Sequence, residues 1–351
     1  MGIVDEYESA EVRLFARYGL QPRARYLELT DPRLRARVLE IGGDPASHDH
    51  GRTPVLFLAG GMQPAAEGAA LFARMPTSTQ LVAVDRPGCG LTDGFDYRGV
   101  DLHRHASSFL LSVIDELGFD KVDLVGNSMG GLWCLFAALD RPDRIRSVTL
   151  VGWPAFVLGM RMPLPLRLFS VRGLNRLLLR LQPSGRSGIR RMLSVLGESP
   201  AADGLPDEYF AWAALTSRLP HFATAWCSAF ESYMSVRGAR RGIGLQLTDL
   251  ARITVPVLML LGDRDPFGDV MMGRQACEAL PDARMKTIRA GHLPWLDDAG
   301  ACADEINAFL VDSLDEPRAR NKPSDAKPTH RAESSAGRQA ARPTSSGAVA
   351  Q

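Results

Sequence analysis

Short apolar runs bounded by turn residues recur along the chain and predict the strands of a sheet. Arg25 to Leu29 and Leu34 to Ile41 alternate apolar and polar positions as edge strands would, with a turn at Asp31-Pro32 between them. Pro54 to Leu58, Leu81 to Val84, Val122 to Val125, Ser147 to Val151 and Val255 to Leu261 are apolar almost throughout, the signature of strands buried on both faces. Between them Phe109, Leu110, Val113, Ile114 and Leu117 recur at helical spacing, which predicts a helix over 103–117 that Gly118 stops. A second helix is expected over 129–139, ended by Arg141-Pro142.

The strand pattern lapses after Val151 and resumes only near Ile253. About a hundred residues is too long for a plain crossover, so 154–250 reads as an inserted, mainly helical cap rich in Leu, Met, Phe and Trp. Its first third carries eight arginines between Arg161 and Arg191 and no acidic residue. Arg172, Arg176 and Arg180 follow i, i+4 spacing, with Leu174, Leu177, Leu178 and Leu181 expected on the other side. The plainest reading is a solvated polar face; contact with anionic lipid and attraction of anionic substrates are the functional ones. Residues 1–24 are expected to be an N-terminal extension, 25–153 with 251–314 the α/β core, and 315–351 a disordered tail of Pro, Ser, Ala, Arg and Lys.

A chain of 351 residues with 45% apolar content suffices for one large core plus that insertion. The formal charge of +1 leaves no global attraction to nucleic acid, and the seven basic and three acidic residues of 316–351 leave the rest near −3. The polar start, Met1 to Glu11, has no apolar core of a signal peptide, and no run is long enough to cross a bilayer. Five cysteines without metal-type spacing fit reduced thiols and a cytoplasmic setting.

The chemistry-bearing residues sit where strands end. Ser128 is centred in Gly126-Asn-Ser-Met-Gly130, directly after the apolar run Val122–Val125. A serine there would occupy a tight strand-to-helix turn and be a candidate nucleophile. The run through Leu261 ends in Gly262-Asp-Arg-Asp265, and Ala290-Gly-His292-Leu-Pro-Trp295 follows later. The order serine, acid, histidine, each after a predicted strand, resembles the α/β-hydrolase family over roughly residues 25–313. Ala59-Gly-Gly61-Met62 is similar to its oxyanion loop and Asp85-Arg-Pro-Gly88-Cys-Gly90 to its glycine loop.

The resemblance implies a mostly parallel sheet of about eight strands flanked by helices. It also implies a triad of Ser128, His292 and Asp265, with Asp263 the alternative acid. Oxyanion donors would be the N–H groups of Met129 and of Gly61 or, failing that, Met62. The chain departs from the family where His-Gly is usual and Ala59-Gly60 stands, which leaves the shape of the hole open. Met62, Trp153 and Trp295 are expected near the substrate, and Asp297 and Asp298 at the start of the next helix. His48, His50, His103, His105, His221 and His330 do not follow strands on the catalytic edge, and His103, His105 and Asp101 are poorly spaced for a metal. No metal or cofactor is expected. A serine cannot supply the carboxylate that dehalogenases and epoxide hydrolases of this fold use, so the expected reaction is hydrolysis of a small apolar carboxylic ester through an acyl-enzyme. The alternatives are a carbon–carbon bond hydrolase of the meta-cleavage type and a non-catalytic ligand-binding member.

Overall fold

The computed structural model describes residues 2–42, 53–181 and 185–313; the expected tail, His48, His50 and His330 lie outside the described residues. Its strands are β1 (Arg23–Thr30), β2 (Arg33–Ile41), β3 (Val55–Leu58), β4 (Leu81–Val84), β5 (Val122–Gly126), β6 (Ile145–Val151), β7 (Met234–Ser235), β8 (Gly238–Ala239), β9 (Val257–Gly262) and β10 (Ala283–Ile288). Eight form one sheet in the order β1-β2-β4-β3-β5-β6-β9-β10, parallel from β4 to β10, with β1 and β2 antiparallel at one edge. β7 and β8 make a separate two-stranded ribbon.

Every residue of β3, β4, β5 and β9 is buried, as both faces of a parallel sheet covered by helices must be. At the edges, β1 buries only Leu27 and Leu29 and β10 only Ile288. The helices expected over 103–117 and 129–139 run Leu102–Glu116 and Ser128–Asp140. Asp101 Oδ1 caps the first by accepting from the Arg104 N–H at 3.1 Å.

Residues 152–256 carry the helices Leu164–Arg167, Leu174–Leu181, Arg186–Val195, Ser199–Gly204, Asp207–Thr216, Phe222–Tyr233 and Leu247–Leu250. The N-terminal residues differ from a plain extension. Ile3–Arg17 is a helix that packs on Asp207–Thr216 of the insertion, burying Tyr7, Leu14 and Phe15. Its Glu11 meets the buried Arg37 of β2, which also pairs with Asp85 at 3.3 Å. Asp85 in turn accepts from the N–H of Ala65 at 2.7 Å and of Leu91 at 3.2 Å, which ties the glycine loop to the chain leaving the oxyanion loop.

Candidate active site

Parallel strands deliver the turns that follow them to one edge of the sheet. Gly61 follows β3, Ser128 follows β5, Asp265 follows β9 and His292 follows β10. Ser128 has φ of +48°, a left-handed conformation that a side-chain-bearing residue holds only when its surroundings impose it. Those surroundings are close-packed backbone. A Cβ on Gly130 would lie 2.3 Å from the Leu58 carbonyl oxygen, and one on Gly60 would lie 2.2 Å from Asn127 Oδ1 and 2.8 Å from Ser128 Cβ. The elbow and the oxyanion loop are therefore pressed together through glycines on each side.

His292 Nδ1 lies 2.9 Å from Asp265 Oδ2, and both residues are buried. An ionised carboxylate only accepts, so Nδ1 carries the hydrogen and Nε2 is left as the basic nitrogen. Asp265 Oδ2 also accepts from the Trp153 N–H and Oδ1 from the Phe267 N–H, each at 2.9 Å. Asp263 is engaged elsewhere, accepting from the Ala290 N–H at 3.0 Å. Asp297 binds Arg264 and the Gly291 N–H, and Asp298 accepts from the Ala301 N–H at 2.9 Å inside the following helix.

Met129, Gly61 and Met62 line the same cavity as Ser128 and His292. The Met129 N–H lies in the first turn of the elbow helix, where no intrahelical acceptor exists. The Gly61 carbonyl accepts from the Arg86 guanidinium, itself buried over the Trp133 ring, which fixes the Gly61–Met62 peptide. The cavity is about 450 Å³. Six methionines contribute to its wall: Met62 and Met129 from the core, and Met160, Met162, Met192 and Met234 from the insertion. Phe222, Trp226 and Phe230 add a ladder of stacked rings 5.6 and 5.0 Å apart along one face of a helix.

Two expectations change. Trp153 and Trp295 are fully buried and are not among the residues lining the cavity. The Trp153 indole donates to the Val157 carbonyl at 3.3 Å and packs on Gly268, while its backbone N–H serves Asp265. The Trp295 indole donates to the Glu67 carbonyl at 3.0 Å. Trp295 stands three residues after His292 and Trp153 just after β6, yet each indole N–H is spent on a carbonyl within the protein. His103 hydrogen-bonds Asp140 at 3.0 Å, whereas His105 is stacked on Phe95.

Three further residues bear on the site. Asn127 Nδ2 donates to the Val151 carbonyl at 2.5 Å and the His292 carbonyl at 2.9 Å, joining the elbow to the histidine loop. Glu67 lines the cavity with Tyr209, whose hydroxyl donates to it at 2.8 Å; burial pushes the carboxyl up to about 7. Glu198, at the start of Ser199–Gly204, accepts from the Leu293 N–H at 2.5 Å, and the neighbouring Leu196 carbonyl accepts from the His292 N–H at 3.0 Å. Burial first, then a hydrogen bond to Asp297, pushes the Glu198 carboxyl up to about 9.

A family model described as the alpha/beta hydrolase family matches residues 48–305. The chain belongs to the alpha/beta hydrolase family. This hydrolase is 28% identical over 265 residues to a 2-hydroxy-6-oxononadienedioate/2-hydroxy-6-oxononatrienedioate hydrolase of Cupriavidus pinatubonensis, covering 72% of its own length and 84% of the relative's. It is 27% identical over 263 residues to a pimeloyl-[acyl-carrier protein] methyl ester esterase of Neisseria meningitidis, covering 71% and 74%. The crystal structure of carboxylesterase CesB from Bacillus subtilis superposes with a TM-score of 0.64 at 16% identity, covering 89% of this hydrolase and 99% of that chain, a likeness of fold. Among the described residues no helix is long and apolar enough to cross a membrane.

Proposed function

We propose that the protein hydrolyses a carboxylic ester with a flexible apolar acyl or alkyl group, through an acyl-enzyme on Ser128. The observation that carries this reading is the convergence of Ser128 and the Asp265–His292 pair on one methionine- and aromatic-lined cavity. Ser128 Oγ attacks the ester carbonyl while its proton passes to His292 Nε2, and Asp265 holds the imidazolium through Nδ1. The N–H groups of Met129 and Gly61 meet the oxyanion, each such donor supplying about 3 kcal/mol in the transition state. The alcohol leaves with the proton from His292, and water repeats the sequence to free the acid and Ser128. Methionine walls adapt to chains of varied shape, which suits an elongated apolar group. The buried, unpaired thiols of Cys89, Cys134, Cys227 and Cys302 support a cytoplasmic setting.

The Cupriavidus relative favours a second reading, hydrolysis of a carbon–carbon bond in an oxo-dienoate. Such a substrate brings carboxylates. The cations lining this cavity are the exposed Arg180 and Arg218, while a carboxyl, Glu67, lies buried in its wall. That charge arrangement favours the neutral ester. Intact-mass labelling with a fluorophosphonate tests the reading: one adduct is expected on the wild type and none on Ser128→Ala. Turnover of p-nitrophenyl esters should then exceed that of ring-cleavage dienoates, and the reverse order would select the second reading.

A further inference from the structure

The Leu174–Leu181 helix contributes Leu179 and Arg180 to the cavity wall. Its inward side carries Asn175, fully buried and donating to Glu231 Oε1 at 2.8 Å, and Leu179, which lines the cavity wall. At about 100° per residue, Leu177, Arg180 and Leu181 fall on the opposite side and Arg176 on its flank. All four are exposed, Leu177 by 50% and Leu181 by 69%. Sequence periodicity placed these two leucines on the side away from Arg172, Arg176 and Arg180, and the packing leaves them exposed together with Arg176 and Arg180. The solvent side of an amphipathic helix is dominated by polar residues, whereas two of these four are leucine. Apolar exposure continues through the preceding segment in Leu164 (65%) and Val171 (38%).

Charge on this face is equally one-sided. Arg161, Arg186 and Arg190 are matched by Asp269, Asp207 and Asp203. Arg172 and Arg176 are exposed and have no ion pair among the described residues. Free guanidinium groups beside exposed leucines suit a membrane interface, where apolar side chains enter the acyl boundary and arginines meet phosphate. A second copy of the chain would bring the same arginines against one another, so like charge opposes self-association here.

We propose that this face docks the protein on an anionic lipid bilayer. The cavity mouth, to which Arg180 contributes, then lies against the surface, and an acyl ester enters the cavity from the bilayer. The entry of an ester rests on the esterase reading above; the docking does not.

Co-sedimentation of the full chain with phosphatidylcholine vesicles, with and without phosphatidylglycerol, tests the docking directly. Binding is expected only with the anionic lipid. Leu177→Asp combined with Leu181→Asp should weaken it roughly tenfold or more, and Arg172→Glu with Arg176→Glu should do the same. Both variants keep the wild-type melting temperature and fluorophosphonate labelling, and both keep the basic tail. Unchanged binding in the leucine variant would move the attachment to the tail and overturn the proposal, as would equal binding to neutral vesicles. A lipid-free dimer dissolved by the leucine substitutions would assign the face to a second copy instead. Loss of labelling in the wild type with docking intact would fail the esterase reading alone.

Discussion

Glu198 gives the sharpest test of how the insertion supports the catalytic loop. Its Oε1 holds the Leu293 N–H, but Oε2 has no donor among the described residues and its neighbour is another carboxyl, Asp297. Two ionised carboxylates there would repel, whereas a proton on Glu198 lets the pair share a hydrogen bond. The folded protein therefore keeps Glu198 protonated up to about pH 9, while the same carboxyl in the unfolded chain titrates at 4.5. A group whose folded pKa is raised contributes its full stability below the unfolded value and loses it as pH climbs to the folded one. At about 1.4 kcal/mol per unit, that proton uptake costs roughly 3 kcal/mol at pH 7 and roughly 6 kcal/mol at pH 9, relative to acid. Glu198→Gln keeps an acceptor for Leu293 and a donor for Asp297 without needing the proton. Urea denaturation from pH 5 to pH 9 should show the variant nearly equal to wild type at pH 5 and increasingly more stable above it. Turnover of the variant should persist on the alkaline side where that of the wild type falls. Parallel stability curves across this range would mean that Glu198 is ionised throughout, and would refute the argument.

Packing at the elbow makes further outcomes measurable. Gly60→Ala places a methyl group 2.2 Å from Asn127 Oδ1 and must displace the elbow. A shift of the order of 1 Å predicts about a hundredfold loss of kcat in a protein whose circular dichroism is unchanged. Asn127→Ala strips two buried carbonyls, Val151 and His292, of their donor, and calorimetry should register a loss of about 3 kcal/mol. Trp295→Phe should cost about 1 kcal/mol of stability and leave KM unchanged, because its indole reaches the Glu67 carbonyl and not the cavity. Trp226→Ala, in the cavity wall, should instead move the preferred ester toward longer chains, read from kcat/KM across p-nitrophenyl esters.

The sheet was legible because its inner strands are buried on both faces and so appear as unbroken apolar runs, and because strand ends place chemistry at one edge. The positions of Ser128, Asp265 and His292 at strand ends follow from that rule, and Gly60 and Gly61 mark the turn after β3. Trp153, Trp295, Asn127, Glu67 and Glu198 do not. Their roles depend on partners between 4 and 228 positions away, such as Trp295 on Glu67, and on whether a polar atom faces protein or cavity. Periodicity left the exposure of Leu177 and Leu181 undecided for a related reason. A helical stripe gives the relative sides of a helix, but not how many of them the rest of the chain covers. The N-terminal helix escaped notice because Glu11 looks like surface charge until Arg37, twenty-six residues on, is placed beside it.

The insertion is joined to the core at points beside Ser128 and His292, so it is more than a wall over the cavity. Tyr209 reaches Glu67 just beyond the oxyanion loop, Ile3–Arg17 bridges Asp207–Thr216 to the Arg37–Asp85 network, and Leu196 and Glu198 hold the backbone on either side of the His292 peptide. Removing the insertion would strip the His292 and Leu293 N–H groups of their acceptors, leaving the imidazole held by Asp265 and the His292 carbonyl by the Asn127 side chain. The cavity wall and the histidine clamp are thus one structural unit. The wall can vary at its methionines with little effect on the triad, but the turn at Leu196–Glu198 cannot move without carrying His292 with it.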